Sequence, residues 1–364
     1  MSANEDIHIL LIRLSAIGDV VHALHALAAL RAARPAATIG FLVEDKAASL
    51  IEGHPDIDRL HVYPRKAWTG DLLSSPARVG GEVAAFLAGL SNARYDVAVD
   101  LQGNLKGGVL SLLSRAPRRI GLAKGSGIEG SHVFATEHVT TPPPPFHRVD
   151  RAIALVGPLG VDGGGGEFRL GFTPEECRAT DRFTAEQDLA DGSFAVLHPG
   201  TSRFGLHKRW PADRYGALAR ALSETHGLRS VVTFGPGEED LVAAATENSG
   251  GAAVAGPASA SLKTLARLIE RSALFVAGDT GALHLAAYLG VPTVGLFGPK
   301  DPKIYAPRGP RTAVVWLGHD CSGCPKRSCP DPVCMTEITP DHVLSAVREV
   351  LEGHPAPAGV TRGN

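Results

Sequence analysis

The pattern of hydrophobic and polar positions alternates along the chain between short apolar runs and helical spacings. Apolar runs that suit buried parallel strands lie at 7–13, 38–43, 60–63, 96–101, 194–197, 228–234, 273–277 and 293–297. Helical spacing of apolar positions occurs at 20–34, 47–52, 82–90, 147–157, 211–226, 282–289 and after Ser261. This alternation predicts βαβ units and an α/β fold with parallel sheets and right-handed crossovers.

The longest apolar stretch, residues 276–299, reads as strand, turn, helix and strand. Ligands of open α/β sheets bind at the carboxyl ends of strands, where this turn places Asp279, Thr280, Gly281 and, one helical turn on, His284. A helix N-terminus attracts anions, and glycine lets a phosphate approach the backbone. The alternative is an ordinary βα turn in which Asp279 or Thr280 caps the helix.

The first βα turn carries Asp19 between the first predicted strand and its helix. Asp19 is interpreted either as a helix cap or as a general base that faces a cleft between domains. Basic residues close to predicted strand ends suggest a patch for an anionic acceptor, although solvated surface charge also explains them. These residues are Arg65, Lys66, Lys106 and Arg118.

A second set of polar residues follows the predicted strand 194–197. The hydroxyls of Thr201 and Ser202, with Lys208 and its neighbours Arg203 and Arg209, suit the binding of a diphosphate. Glu238 follows the next strand. Its carboxylate either accepts from a ribose hydroxyl or complements the dipole of a helix.

Length and composition favour two soluble globular domains. The chain has 364 residues, 44% hydrophobic residues and a net charge of −2, which argues against nucleic-acid binding through bulk charge. A glycine-rich stretch at 160–166 predicts a linker, and we expect domains at 1–165 and 166–340, followed by a C-terminal helix and disordered tail at 341–364. Because Glu5 and Asp6 precede the first apolar run, we expect no secretory signal and a cytoplasmic protein.

Four cysteines lie close together near the C-terminus with the spacing C-x2-C-x4-C-x4-C. Four thiolates in one short loop suggest a structural zinc ion or an iron–sulfur cluster, with disulfides or free thiols as alternatives. The cysteines are Cys321, Cys324, Cys329 and Cys334.

Common catalytic motifs of other enzyme classes do not occur in the sequence. We find no P-loop, no Gly-x-Gly-x-x-Gly after a strand, no nucleophile elbow and no HExxH. The sequence therefore disfavours P-loop NTPases, kinases and NAD-dependent enzymes.

Several blocks together resemble glycosyltransferase family 9, the heptosyltransferases of the lipopolysaccharide inner core. The blocks are LLIRLSAIGDVVHAL (10–24), DLQGNLK (100–106), LHPGTSRFGLHKRWP (197–211), GDTGALHLAAYLGVPTVGLFGP (278–299) and the cysteine segment 321–335. The resemblance implies a GT-B fold: two Rossmann-like domains with parallel sheets facing a central cleft, the first for the acceptor and the second for the donor. The opening block is more similar to the first heptosyltransferase, which acts on Kdo-lipid A, than to the second.

The resemblance also implies a reaction and roles for individual residues. ADP-L-glycero-D-manno-heptose would be the donor, transfer would invert the anomeric carbon, and catalysis would need no metal. Asp19 would be the general base and Lys208 would assist the departure of ADP. Contact with the donor would involve Thr201, Ser202, Lys208, Glu238, Asp279, Thr280, Gly281 and His284.

The sequence leaves alternatives to this reaction open. Another nucleotide sugar, a heptosylated acceptor as for heptosyltransferase II, or nucleotide-sugar binding without transfer fit the same fold. The expected partners are ADP-heptose and a lipopolysaccharide acceptor, with peripheral contact at the cytoplasmic face of the inner membrane.

Overall fold

A computed structural model describes residues 7–202, 205–257, 261–324, 326 and 328–352. The packing of the chain divides it into two compact units, Met1–Gly171 and Phe172–Asn364. The tail predicted at the end of the chain, from residue 353 onward, lies outside the described residues.

The first unit contains a six-stranded parallel sheet in the part of the chain that is described. Its strand order is β3-β2-β1-β4-β5-β6. The strands are β1 His8–Ile12, β2 Thr38–Glu44, β3 Arg59–Tyr63, β4 Val97–Asp100, β5 Arg118–Leu122 and β6 Glu137–Val139. The helices are α1 Ile17–Ala33, α2 Asp45–Ile51, α3 Arg65–Asp71, α4 Pro76–Asn92, α5 Leu105–Leu113 and α6 Arg148–Val156, with 3-10 helices at Ser131–Phe134 and Gly157–Leu159.

The second unit repeats this topology. Its order, β12-β11-β10-β7-β8-β9, is the same as that of the first unit when the strands are counted from β7. The strands are β7 Phe194–His198, β8 Arg229–Val232, β9 Ala253–Ala255, β10 Leu274–Gly278, β11 Thr293–Phe297 and β12 Thr312–Trp316. The helices are α7 Pro174–Glu186, α8 Ala212–His226, α9 Glu239–Glu247, α10 Leu262–Glu270, α11 Gly281–Tyr288, α12 Pro302–Tyr305, α13 Val333–Thr336 and α14 Pro340–Leu351, with a 3-10 helix at Leu206–Lys208.

Both sheets are buried on two faces, which explains the continuous apolar runs of their strands. In β1, the side chains of Leu10 and Ile12 lie in one hydrophobic cluster with Leu42 and Ala98. In the second unit the alternate residues of β10 enter two different clusters, Leu274 on one face and Phe275 on the other. The predicted α/β class with two parallel sheets is confirmed.

The strand order creates one topological switch point in each sheet. In the first unit, β1 pairs with β2 on one side and with β4 on the other. In the second unit, β7 pairs with β8 and with β10 in the same way. Crevices outside the carboxyl ends of strands at such points are the usual ligand sites of doubly wound sheets.

Candidate active site

At the switch point of the second unit, three charged or polar side chains come together. Lys208 follows β7 and Asp279 follows β10, and the Lys208 Nζ lies 2.7 Å from Asp279 Oδ2. His284 on α11 places its Nε2 3.5 Å from Asp279 Oδ1. Residues separated by 71 positions in sequence are thus neighbours because β7 and β10 are adjacent strands.

The ionised form of Asp279 is strongly favoured. Burial alone would raise the pKa of this carboxyl, but His284 and Lys208 together lower it to about 2. The side chain of Asp279 is only 11% exposed. A buried carboxylate with a lysine partner fixes the position of the ammonium group at this switch point.

The start of α11 has the features predicted for an anion site. Thr280 is the N-cap, and its hydroxyl accepts a hydrogen bond from the backbone N–H of Leu283 at 3.4 Å. Gly281 is the first helical residue. A side chain at Gly278 would place its Cβ 3.1 Å from the carbonyl oxygen of Lys208, so the segment that carries Lys208 rests directly on β10.

Glu238 joins the loops that follow β7 and β8. Its Oε1 accepts from the N–H of Thr201 at 2.9 Å and from the guanidinium of Arg209 at 2.5 Å. Its Oε2 accepts from the N–H of Gly235 at 2.9 Å. Glu238 is the N-cap residue of α9, but its side chain makes no capping hydrogen bond. Its carboxylate therefore binds the two loops and does not serve mainly to complement the dipole of α9. Ser202 is exposed in the same loop, whereas Arg203 lies outside the described residues.

In the first unit, Asp19 lies in the first turn of α1 and is paired with Arg13. The Arg13 Nη2 is 2.8 Å from Asp19 Oδ2, and His22 Nδ1 lies 3.8 Å from Oδ1. Asp19 also accepts from the N–H of Ala16 at 3.3 Å, so it does cap the helix, from inside the first turn. About a third of the side chain, 34%, remains exposed.

A pocket surrounds Asp19, and sequence reasoning missed most of its lining. Arg148 and Arg151 enter from α6, which packs against α1, and Leu101 enters from the end of β4. Asp100 is buried beside them, and its Oδ1 accepts from the N–H groups of Gln102 and Gly103, both at 3.0 Å. The sequence of α6 predicts an amphipathic helix, but it does not show which element lies against the polar face of that helix. The positions of Arg148 and Arg151 beside Asp19 could therefore not be predicted.

Of the basic residues predicted for an acceptor patch, two are gathered around one buried carboxylate. Arg65 Nη1 and Lys106 Nζ lie 3.6 and 3.9 Å from the two carboxylate oxygens of Glu44. Lys66 is exposed on the same helix as Arg65. Arg118 lies apart from them, at the amino end of β5, where it pairs with Glu137 at 2.9 Å.

The four clustered cysteines are all free thiols, and the predicted metal site is not supported. Across the described part of the chain, no three Cys, His, Asp or Glu side chains are grouped so as to hold a metal ion. The cysteines have different surroundings: Cys334 is buried on α13, where a Cβ at Gly298 would lie 2.8 Å from its sulfur, whereas Cys321 and Cys329 are exposed. Burial and the neighbouring cysteines raise the pKa of Cys334 to about 11.

No helix in the described ranges combines the length and the apolar composition that crossing a bilayer requires.

Comparison with known proteins identifies a family for the chain. The model of the family "Glycosyltransferase family 9 (heptosyltransferase)" matches residues 83–334. Lipopolysaccharide heptosyltransferase 1 of Pseudomonas aeruginosa is 28% identical over 372 aligned residues, covering 94% of this chain and 98% of the relative.

Solved structures share the fold. A glycosyltransferase of family 9 from Veillonella parvula superposes with a TM-score of 0.76 at 22% identity, covering 97% of this chain and 100% of that one. The Escherichia coli heptosyltransferase WaaC, solved with ADP and with ADP-2-deoxy-2-fluoro heptose, gives TM-scores of 0.73 and 0.72 at 23% identity, covering 94% of this chain and 99% of WaaC. The predicted GT-B fold is confirmed. With more than half of its length matched by the family model, this chain belongs to glycosyltransferase family 9, the heptosyltransferases.

Proposed function

We propose that the chain transfers L-glycero-D-manno-heptose from ADP-heptose to the Kdo of the lipopolysaccharide inner core, with inversion of the anomeric carbon. The name of the Pseudomonas aeruginosa relative supports the lipopolysaccharide acceptor. The nucleotide and the sugar-nucleotide analogue in the WaaC complexes support ADP-heptose as donor.

The observation that carries the proposal is the cluster of Lys208, Asp279 and His284 at the switch point of the second unit. The lysine and the first turn of α11 supply positive charge for the diphosphate, so these residues do what a divalent cation does elsewhere. Asp279 orients Lys208 and remains able to accept from a sugar hydroxyl. We assign donor binding to Thr201, Ser202, Lys208, Glu238, Asp279, Thr280, Gly281 and His284.

The proposed chemistry is a single displacement. The acceptor hydroxyl oxygen attacks the anomeric carbon on the face opposite the diphosphate, and its proton passes to a carboxylate oxygen of Asp19. The bond from the anomeric carbon to the phosphate oxygen breaks, and its electron pair leaves with ADP. Lys208 stabilises the charge that develops on this leaving group.

We assign acceptor binding and a membrane contact to the first unit. Arg65, Lys66 and Lys106 offer positive charge to anionic groups of the acceptor. Exposed leucines lie in the same segments as these bases, including Leu73, which is 96% exposed. Basic and apolar side chains side by side suit the surface of an anionic membrane. The exposed leucines are Leu72, Leu73, Leu105, Leu112 and Leu113.

Replacing both Leu72 and Leu73 with Asp tests the membrane contact. We expect several-fold weaker co-sedimentation with vesicles that contain anionic phospholipid, because two apolar side chains are lost and two negative charges are added. Leu206→Asp, an exposed leucine of the second unit, is the matched control and should bind vesicles as the wild type does. Equal binding by all three proteins would contradict the assignment.

The main test is heptose transfer by Asp19→Asn. Because the amide oxygen of Asn can still accept from the N–H of Ala16, the variant should fold and bind ADP normally. It should lose about 10²–10⁴-fold in transfer rate, the usual contribution of a general base. The assay uses ADP-heptose with Kdo-lipid A, and calorimetry measures ADP binding.

Asp45→Asn is the control, since Asp45 also lies in the first turn of a helix of the first unit. Full activity of Asp19→Asn would leave Asp19 only a capping role. Binding of ADP-heptose by the wild type without any transfer would indicate a nucleotide-sugar-binding protein. Preference for a heptosylated acceptor would indicate the second transfer instead of the first.

A further inference from the structure

Arg209 and Glu238 together hold Thr201 at the carboxyl end of β7. Arg209 Nε donates to the hydroxyl oxygen of Thr201 at 3.1 Å, and Arg209 Nη2 donates to the carbonyl oxygen of Thr201 at 3.3 Å. Glu238 Oε1 accepts from the N–H of Thr201 at 2.9 Å and from the guanidinium of Arg209 at 2.5 Å. The two side chains therefore bind the N–H, the carbonyl oxygen and the hydroxyl oxygen of Thr201.

The contact with Arg209 decides where the hydroxyl proton of Thr201 can go. A hydroxyl donates one hydrogen bond and accepts up to two, whereas a guanidinium only donates. Arg209 therefore occupies an acceptor position of the Thr201 oxygen and cannot receive its proton. The O–H bond of Thr201 is turned away from Arg209, and it can donate to an acceptor on the other side of the oxygen.

The segment that follows Thr201 brings Lys208 close to it. A Cβ at Gly205 would lie 3.5 Å from the Thr201 hydroxyl oxygen, so the backbone of Gly205 packs against this side chain. The carbonyl oxygen of Gly205 accepts from the N–H of Lys208 at 2.8 Å. Gly205 thus links the positions of Thr201 and Lys208, and we expect a diphosphate that binds the ammonium group to meet the hydroxyl as well.

Lys208 and Arg209 are consecutive, but they reach loops on opposite sides of β7. Lys208 pairs with Asp279 after β10, whereas Arg209 pairs with Glu238 after β8. β8 and β10 are the two neighbours of β7 in the sheet. The side chain of Glu238 is only 9% exposed, so Arg209 is directed into the protein on its side of β7.

We propose that Arg209 is a positioning residue for donor binding, which holds Thr201 so that its hydroxyl donates to a phosphate oxygen of the nucleotide. Arg209 acts through Thr201 and does not itself bind the diphosphate. Because Glu238 already accepts from the N–H of Thr201, the hydroxyl is the donor that Thr201 offers to the phosphate. The inference rests on the proposed function, because it takes Thr201 as a ligand of the ADP diphosphate.

A double-mutant cycle on ADP affinity tests this role. Thr201→Val removes the hydroxyl and should weaken ADP binding about tenfold, as expected for a hydrogen bond to a charged group. Arg209→Lys keeps the charge but not the fork of donors, and it should weaken ADP binding about three- to tenfold. The double variant should bind ADP within about twofold of Thr201→Val, because Arg209 acts through that hydroxyl. Calorimetry measures each affinity.

Adenosine separates an effect on the phosphates from damage to the rest of the site. Because adenosine has no phosphate, Thr201→Val and Arg209→Lys should both bind it as the wild type does, measured by competition with a fluorescent ADP analogue. Arg220→Lys is the matched control, since it makes the same substitution at an exposed arginine of α8, and it should bind ADP normally. If Arg209→Lys does not fold, Arg209→Gln takes its place in the cycle.

Several outcomes would overturn the positioning role. Losses that multiply in the double variant, or equal losses of ADP and adenosine in Arg209→Lys, would make Arg209 a structural residue. Normal ADP binding by Arg209→Lys with weak binding by Arg209→Gln would make it a cation for the diphosphate instead. ADP binding without heptose transfer in the wild type would overturn the transferase alone, because the cycle on ADP affinity still decides the role of Arg209. Absence of ADP binding would overturn both.

Discussion

Asp19 and Asp279 both lie beside the switch point of their sheet but have different surroundings. Asp19 comes after the first strand of its unit and Asp279 after the fourth strand of its unit. Each follows the carboxyl end of a strand at the switch point of its sheet, and each has a cation within 2.8 Å. The partner of Asp19 is Arg13, at the end of the same strand, whereas the partner of Asp279 is Lys208, from the loop of a neighbouring strand. Asp19 is 34% exposed and Asp279 is 11% exposed.

The difference is consistent with the proposal of a reactive carboxylate at Asp19 and a supporting one at Asp279. Asp279 lies between a lysine and a histidine and holds two segments of the second unit together. Asp19 is more exposed and is paired with Arg13. These surroundings suit the roles proposed above, in which Asp279 holds a cation and Asp19 meets the acceptor.

Among the variants that remove the cation beside one of the two carboxylates, Lys208→Met should have the largest effect on ADP binding and on transfer. It removes the cation beside Asp279 and keeps the length of the side chain. We expect ADP to bind about 10–100-fold more weakly, because a charge-assisted contact to the diphosphate is lost. Transfer should fall by about 10²–10³-fold in kcat/KM, since the charge on the leaving group is less stabilised. Calorimetry with ADP and the transfer assay provide the two measurements.

Arg13→Gln is the counterpart in the first unit and should leave ADP affinity unchanged. If both variants lost ADP affinity equally, the division into a supporting and a reactive pair would be wrong.

A smaller difference between the two units should be seen in their stability. We expect Asp100 in the first unit and His198 in the second to change the free energy of unfolding in opposite directions as pH rises. Burial raises the pKa of Asp100 from 3.8 to about 6, so this carboxyl contributes a loss of stability in the first unit as pH rises from about 4 to 6. Burial lowers the pKa of His61 in the same unit, which opposes part of this loss. Burial lowers the pKa of His198 from 6.5 to about 4, so the second unit gains stability as pH rises from about 4 to 6.5. Over its pH range, each group should change the free energy of unfolding by about 1–3 kcal/mol.

Hydrogen exchange resolved by peptide between pH 4.5 and 6.5 reports the stability of each unit separately. Asp100→Asn, which keeps an acceptor for the N–H groups of Gln102 and Gly103, should flatten the slope of the first unit alone. His198→Asn should flatten that of the second. Parallel slopes in the two wild-type units would contradict the expectation.

The strand-turn-helix at β10 and α11 was predictable because its period is strong and its strand is buried on both faces. The prediction of 293–297 for β11 agrees with the structure at both ends. The strands β5, β6, β9 and β12 were not predicted. β6 has three residues, none of them fully buried, and so gives no apolar run in the sequence. α5 was not predicted. Its Gly107 and Gly108 allow close packing against Asp100 and Phe134.

The polar residues that follow the strands at the candidate site could be predicted from the sequence, but the side chains with which they form ion pairs could not. Asp19 and Asp279 stood out because they follow apolar runs. The pairing of Lys208 with Asp279 needs the adjacency of β7 and β10, which strand order alone decides. The arginines of α6 reach Asp19 only through the packing of α1 on α6, which no spacing along the chain encodes.

The close approach of Gly278 to the carbonyl of Lys208 has a mechanical consequence. A loop that lies over a strand with no side chain between them inherits the stiffness of the sheet. The backbone of Lys208, which carries the ammonium group, is therefore held in a fixed position relative to the end of β10. Insertions or deletions elsewhere between β7 and α8 can therefore change the conformation of the loop without moving Lys208.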